Sequence, residues 1–464
     1  MIASILLLPL ILTAAPVDDG LIRSGANDRD LGKMSKDVNA FFAALEDDDR
    51  SQQQDSLKSL KAALGKALKK AKATEPLISY LGDWDVIMEL AKPIDRTFKS
   101  KAGKGFFKHV FEEPYEKSRL AVLLSLPSGY GKDDGFLPVI VALKPPMGLV
   151  GSELEDAVSE QATALYGDVL ESQIVMVLLG PESGDERKAE TTEVTDSWTS
   201  NDGAYVFYTS YRILLEQLRF DRSRVVLDGW EGAGGDALGV VTGAPSFFAG
   251  VVARGGEYDL PDLILSNLDQ LSLLYVAAPG EEGGDEEPNL LQRGVDGVDI
   301  AYVQESASLA EPSDETRAAI SDWLGKVRKN LVPLKISYSL GDLRNQSINW
   351  CKASLINKRG DATPSDPDFP RLSASIDQAK NEISIESVNV TEMEIYLSDA
   401  LVDMSRELTI TVNGEELWSK VNKPSLQMLL ENRYYSDSGD YGLYTAKVRL
   451  DNIDPNLPES ESDD

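Results

Sequence analysis

The chain has 464 residues, 42% hydrophobic and 27% charged, with 46 Lys and Arg against 77 Asp and Glu, a net charge of −31. That length suits two or three domains with sizeable cores, and that charge repels nucleic acid and anionic lipid, so neither is expected as a partner. One cysteine (Cys351) and one histidine (His109) exclude an intramolecular disulfide and a cysteine-built zinc cluster, and they leave every imidazole-dependent mechanism a single candidate.

Residues Ile2 to Leu12 form an apolar run followed by small residues at Thr13, Ala14 and Ala15 and by an acidic start at Asp18. The pattern is that of a signal peptide over 1–15, and it predicts a secreted, periplasmic or envelope protein. No later stretch reaches the roughly 18 uninterrupted apolar residues of a membrane span.

Residues 16–115 read as a helical region. Leu57, Leu60, Leu64, Leu68 and Ala71 recur at helical spacing, and Lys58, Lys61, Lys66, Lys69 and Lys70 fill a solvated face. A second helix is expected from Trp84 to Ala91, ended by Pro93.

From 116 to 334 strands and helices alternate. Residues 118–126, 137–143 and 174–179 are continuous apolar runs, as in a sheet buried on both faces. Helical patterns follow at 203–218, 236–242 and 316–329, with short strands at 225–227, 251–252 and 273–277. The alternation predicts an α/β fold with a mainly parallel sheet.

After 334 the period falls to two. Ile383 and Ile385, then Leu408, Ile410 and Val412, then Ala446, Val448 and Leu450 alternate with polar residues, and Asn413-Gly414 marks a hairpin. Residues 335–455 are therefore expected to form a β-rich, sandwich-like domain, with an acidic tail at 456–464. Cys351 beside Trp350 reads as an inert buried thiol. Asp437 to Asp440 reads as a plain turn, Tyr434 and Tyr435 as packing residues, and Asn345 and Asn389 begin three-residue glycosylation sequons.

Several motifs share one order. Leu126-Pro127-Ser128-Gly129-Tyr130 precedes the strand at Leu137; Asp221-Arg222-Ser223-Arg224-Val225 leads to Gly229-Trp230-Glu231-Gly232-Ala233-Gly234; and Phe247-Phe248-Ala249-Gly250-Val251-Val252 follows. Over about residues 116–334 this resembles the secreted bacterial esterase and peptidase branch of the α/β-hydrolase superfamily. The resemblance implies a nucleophile elbow, a strained strand-to-helix turn whose flanking residues, here Gly229 and Ala233, must be small. Its apex is Glu231, where that family has serine. The resemblance also implies a His-Gly turn, where Leu143-Lys144-Pro145-Pro146 stands. It implies a histidine near Gln304 to Leu309, where none exists. For the acid after the strand at 273–277, Asp285 is the candidate, with Glu281 and Glu282 beside it.

Three functions follow from different classes. The first is a hydrolase-like pseudoenzyme with a binding or structural role, an unknown ligand or protein partner and no cofactor. The second is an ester or peptide hydrolase centred on Glu231, as nucleophile or as general base. The third is a carbohydrate-binding protein acting through its β-rich domain.

Overall fold

The computed structural model describes residues 21–73, 76–92, 96–113, 118–131, 136–183, 190–194, 197–256, 261–279, 299–340, 346–356, 363, 366–435, 442–451 and 453. The expected signal peptide, the Asp437 to Asp440 turn, Asn345 and the acidic tail lie outside these residues.

Five helices open the chain: α1 (Asp28–Gly32), α2 (Ser35–Glu46), α3 (Arg50–Ala71), α4 (Leu81–Ala91) and α5 (Arg96–Lys101). On α3 the leucine stripe is buried and the lysines stand in solvent, so an amphipathic sequence has become a one-sided helix. Asp49 caps its first turn, its carboxylate accepting from the amides of Ser51 and Gln52.

The central sheet contains β1 (Phe106–Glu112), β2 (Arg119–Ser125), β3 (Val139–Leu143), β4 (Ile174–Ser183), β5 (Glu190–Thr191), β6 (Val225–Gly229), β7 (Gly250–Arg254), β8 (Ser272–Ala277) and β9 (Asp299–Gln304). Their spatial order is β1-β2-β4-β3-β6-β7-β8-β9, with β5 paired to β4. Along β4-β3-β6-β7-β8-β9 the neighbours are parallel, while β1 with β2, β2 with β4 and β5 with β4 pair antiparallel. This is the α/β-hydrolase arrangement implied by the motifs. Helices α6 (Gly151–Tyr166), α7 (Asn201–Gln217), α8 (Gly234–Gly243), α9 (Asp262–Leu265) and α10 (Asp314–Lys326) complete the domain. Separate apolar clusters fill the two faces of the sheet, one on Phe207, Tyr211 and Phe248, the other on Val158, Trp230 and Leu324. The continuous apolar runs predicted this double burial. One expectation is corrected: β1 falls inside the 16–115 stretch read as helical. Its sequence, FFKHVFE, pairs along its whole length with β2 and extends the sheet.

The remaining strands form two further sheets. One has the order β10 (Lys335–Ser339), β13 (Arg371–Asp377), β14 (Glu382–Val388), β16 (Glu407–Val412), β17 (Glu415–Val421). The other has the order β11 (Ser347–Ile348), β12 (Cys351–Ile356), β15 (Val390–Leu397), β18 (Ala446–Asp451). Their inner faces share one core containing Trp350, Cys351, Ile385, Ile395 and Ile410. Burial alone pushes the Cys351 thiol up to about 12, which keeps it protonated.

Helix α11 (Leu426–Tyr435) lies between β17 and β18 in sequence but packs elsewhere. Its Leu426, Leu429 and Leu430 join the core of the N-terminal helices with Phe41, Leu60 and Trp84. Tyr434 of this helix packs on Phe42 at 5.2 Å, and its hydroxyl donates to Glu46 at 2.9 Å.

A single carboxylate ties all three regions together. Glu89 of α4 is buried and accepts from Lys92 Nζ at 2.7 Å, from Arg222 Nε at 3.0 Å and from Arg433 Nη2. Arg222 belongs to the hydrolase-like domain and Arg433 to α11. Alongside, Arg219 Nη2 donates to the Leu90 carbonyl at 2.8 Å and Nε to the Lys92 carbonyl at 2.7 Å, satisfying the C-terminus of α4. Among the described residues, no helix is long and apolar enough to cross a membrane.

Candidate functional site: a nucleophile elbow with glutamate at its apex

Strand β6 ends at Gly229, and Trp230 leads into the apex. Glu231 holds the left-handed backbone conformation, with φ at 45°, and α8 begins three residues later. A non-glycine residue stays there only where the surroundings over-determine it, and two glycines supply that constraint. A Cβ on Gly229 would lie 2.3 Å from the Ala233 carbonyl oxygen, and one on Gly234 would lie 2.0 Å from that of Gly255. Gly232, by contrast, faces open space, so its small size is not a steric requirement. Gly234→Ala is accordingly expected to destabilise the protein by about 3 kcal/mol, at the upper end for overpacking, while Gly232→Ala changes it little. Paired urea unfolding curves check both.

The Glu231 side chain is half-buried, and its Oε1 accepts from Gln161 Nε2 of α6 at 3.1 Å. Beneath the apex lies a buried polar network. Arg254 of β7 grips Asp228 of β6 with two hydrogen bonds, Nε to Oδ1 at 2.9 Å and Nη2 to Oδ2 at 2.7 Å. The Tyr166 hydroxyl donates to Asp228 Oδ2 at 3.0 Å and accepts from Trp230 Nε1 at 2.8 Å. Burial, and then the Asp228 carboxylate, push the Tyr166 phenol well above its ordinary range, so it stays a donor. Trp230 is thereby held from below, and its amide donates to the Leu143 carbonyl at 2.9 Å.

The loop after β3 should present backbone donors to a developing oxyanion. Here two of the loop's amides, those of Met147 and Gly148, are bound to a carboxylate of the chain. The Lys144 side chain is buried and its Nζ donates to Glu193 Oε2 at 2.6 Å. The same Glu193 carboxylate accepts from the amides of Met147, at 2.8 Å, and Gly148. Pro145 and Pro146 between them have no amide hydrogen. Burial lowers the Lys144 ammonium below its ordinary value despite the ion pair. Burial works against the Glu193 carboxylate too, but Lys144 and the two amides hold it below the usual range.

The loop after β9 is where the resemblance implies a histidine. It begins with Glu305, which is buried and accepts from its neighbours' amides: Ser306 and Ala307 at 2.6 Å each and Ser313 at 3.1 Å. These bonds outweigh burial and keep the carboxyl low. Leu309 of this loop packs against the chain just after β7, so close that a Cβ on Gly255 would meet its Cδ1 at 2.7 Å.

His109 is far from this chemistry in the topology, on edge strand β1. Its Nε2 pairs with Gln217 Oε1 at 3.0 Å and its ring packs on Phe98 at 4.8 Å. It is a packing residue, as expected. Asp285, Glu281 and Glu282 lie outside the described residues, so the structure does not place them against the elbow. The structure therefore joins Gly229, Trp230, Glu231, Gly232, Ala233 and Gly234 in one turn. It adds Gln161, Asp228, Arg254, Tyr166, Lys144, Glu193 and Glu305, to none of which the sequence assigned a role. A carboxylate ester formed on Glu231 would meet no imidazole able to activate water for its hydrolysis.

No family model and no curated protein sequence matches the chain. Solved structures similar to it include a thermostable esterase at 14% identity and TM-score 0.38, covering 49% of this chain and 64% of that one. An S-formylglutathione hydrolase from Agrobacterium tumefaciens is similar at 15% identity and TM-score 0.35, covering 48% and 96%. The fluorophosphonate-binding serine hydrolase FphF of Staphylococcus aureus is similar at 11% identity and TM-score 0.34, covering 48% and 97%. The chain thus spans just under two thirds of the thermostable esterase.

Proposed function

We propose that the protein is a catalytically silent member of the α/β-hydrolase fold that acts by binding. One observation carries the reading: in the loop after β3, the amides of Met147 and Gly148 are committed to the chain's own carboxylate, Glu193. An acyl-transfer site needs such donors aimed at the reacting oxygen. The glutamate at the apex and the leucine in the histidine loop agree with the same reading. Export is part of the proposal, supported by the apolar run Ile2 to Leu12 and the small residues after it.

The test is hydrolysis of short-chain and medium-chain chromogenic acyl esters. The protein and its Glu231→Ala variant are expected to give equal rates, indistinguishable from buffer. Glu231→Ser is expected to stay inactive as well, because a serine at the apex frees no donor and supplies no base. Turnover that disappears in Glu231→Ala would overturn the proposal and establish a carboxylate-centred hydrolase.

A further inference from the structure

Two adjoining clefts run along the seam between the hydrolase-like domain and the five-stranded sheet. Each has a volume of about 560 Å³, within the range of small-ligand sites. They share Ser337, Ser373 and Glu386. The floor is the outer face of β10, β13 and β14. Strand register sets Ser337 beside Ser373 and Ser373 beside Glu386, with Lys335, Ser375 and Ser384 forming the next row. Neighbouring strands are about 4.8 Å apart and alternate residues about 7 Å apart, so the hydroxyls form a regular grid.

The opposite wall comes from the hydrolase-like domain, through Leu263, Ser266, Asp269 and Gln270. It is fixed in place. Buried Asn267 donates to the carbonyls of Thr242 and Ser339, at 2.8 and 2.9 Å, and accepts from the Ser339 amide at 2.7 Å. Asn349 Nδ2 donates to Gln270 Oε1 at 2.6 Å.

The floor of the clefts is polar, and several of its groups are free for a ligand. Among the described residues, the hydroxyls of Ser337, Ser373, Ser375 and Ser384, the Glu386 carboxylate and the Lys335 ammonium have no partner within the protein, and the Ser387 hydroxyl is buried with none. The charges also balance, Lys335 and Arg371 against Asp269 and Glu386, in a chain whose net charge is −31.

We propose that this interdomain cleft binds a neutral oligosaccharide, its hydroxyls paired with the serine grid and Glu386. A carboxylate with free lone pairs accepts from two vicinal hydroxyls at once, and serine hydroxyls donate or accept as the sugar requires. Arg371 is anchored by its Nη1 on the Pro367 carbonyl at 2.7 Å, which leaves its other nitrogens for the sugar. Charge balance disfavours an ionic ligand. Among the described residues no aromatic ring lines the cleft, so recognition rests on hydrogen bonds and the affinity is modest, with a Kd on the order of 1 mM. This deepens the binding role proposed above by naming a ligand class and a place.

The experiment is saturation-transfer NMR of the full chain with neutral gluco- and chito-oligosaccharides of three or four units, and with acidic and basic peptides as comparison. Neutral sugars are expected to give transfer. Glu386→Gln is expected to weaken it roughly tenfold, the loss of one charge-assisted bond. Ser373→Leu, at an exposed position, fills the shared centre and is expected to abolish it, with far-UV CD showing the fold intact. Absence of transfer from every neutral sugar, transfer that survives Ser373→Leu, or preference for either peptide overturns the proposal. The elbow is judged separately by ester turnover, so a failed cleft leaves the silent elbow standing, and an active elbow leaves the cleft result readable.

Discussion

Glu89→Ala is expected to cost at least about 3–5 kcal/mol, the effect of removing one partner from a buried ion pair. With ordinary stabilities of about 5–15 kcal/mol, that approaches the whole margin for a weakly stable chain. The reason is the count of charges. Lys92, Arg222 and Arg433 meet at this one carboxylate, and its loss leaves cations together with no counter-ion. Urea unfolding followed by far-UV CD measures the change, and a loss below about 1 kcal/mol would show that the cluster does not join the three regions. The pH dependence carries a sign. Burial, with repulsion from Arg222 and Arg433 opposing the pull of Glu89, lowers the Lys92 ammonium to about 7, against 10.5 in the open chain. Between those values the unfolded chain binds the extra proton, so stability rises as pH climbs from 7 toward 10.5. Despite its burial, the three cations hold Glu89 near 2, so its contribution is full above the ordinary carboxylate value and is lost as pH falls toward 2. Lys92→Met is expected to flatten the rise above pH 7 and to move the acid limb upward, because Lys92 is the strongest of the attractions that hold Glu89 down.

The second large effect is expected at Asp228. Asp228→Ala strands the Arg254 guanidinium, fully buried on β7, and removes the acceptor for Tyr166. A cost of about 3–5 kcal/mol follows. Asp228→Leu combined with Arg254→Met is expected to recover most of it, because a buried pair replaced by apolar side chains of similar volume is often neutral. Tyr166→Phe alone, which breaks one neutral link in the network, is expected to cost about 1 kcal/mol. Unfolding midpoints of the three variants test the ordering. If the double variant is no more stable than Asp228→Ala, lost packing and not stranded charge governs this site.

Much of this architecture is legible in the sequence, and the reason is periodicity. Ile174 to Leu179 is apolar on both sides because β4 is covered on both faces, and Leu408, Ile410 and Val412 alternate because β16 has a wet face. Asn413-Gly414 marks its hairpin because both residues take positive φ. The elbow is legible for the same local reason, since Gly229 and Gly234 answer to contacts a few residues or one strand away. Strand β1 is harder to read, because FFKHVFE at a sheet edge is half-buried and its alternation is short. The carboxylate that binds the loop after β3 is harder still. Glu193 and Lys144 are 49 positions apart, and nothing near either announces the other. Glu89 and Arg433 are 344 apart, and only the folded chain brings them together. Long-range charge pairing has no period, so a single sequence does not disclose it.

The elbow's backbone and its chemistry are held by different residues, and this shapes what evolution can do with it. Glycines at 229 and 234 set the turn, so the residue at 231 can be exchanged without remodelling it. The donor amides are another matter. Freeing those of Met147 and Gly148 requires removing Glu193, which abandons a buried Lys144. A lineage moving between a silent and an active elbow must therefore cross a less stable intermediate, or change two distant positions together. The scaffold behaves as a ratchet: the nucleophile is one substitution away in either direction, while the surroundings that would make it useful are not.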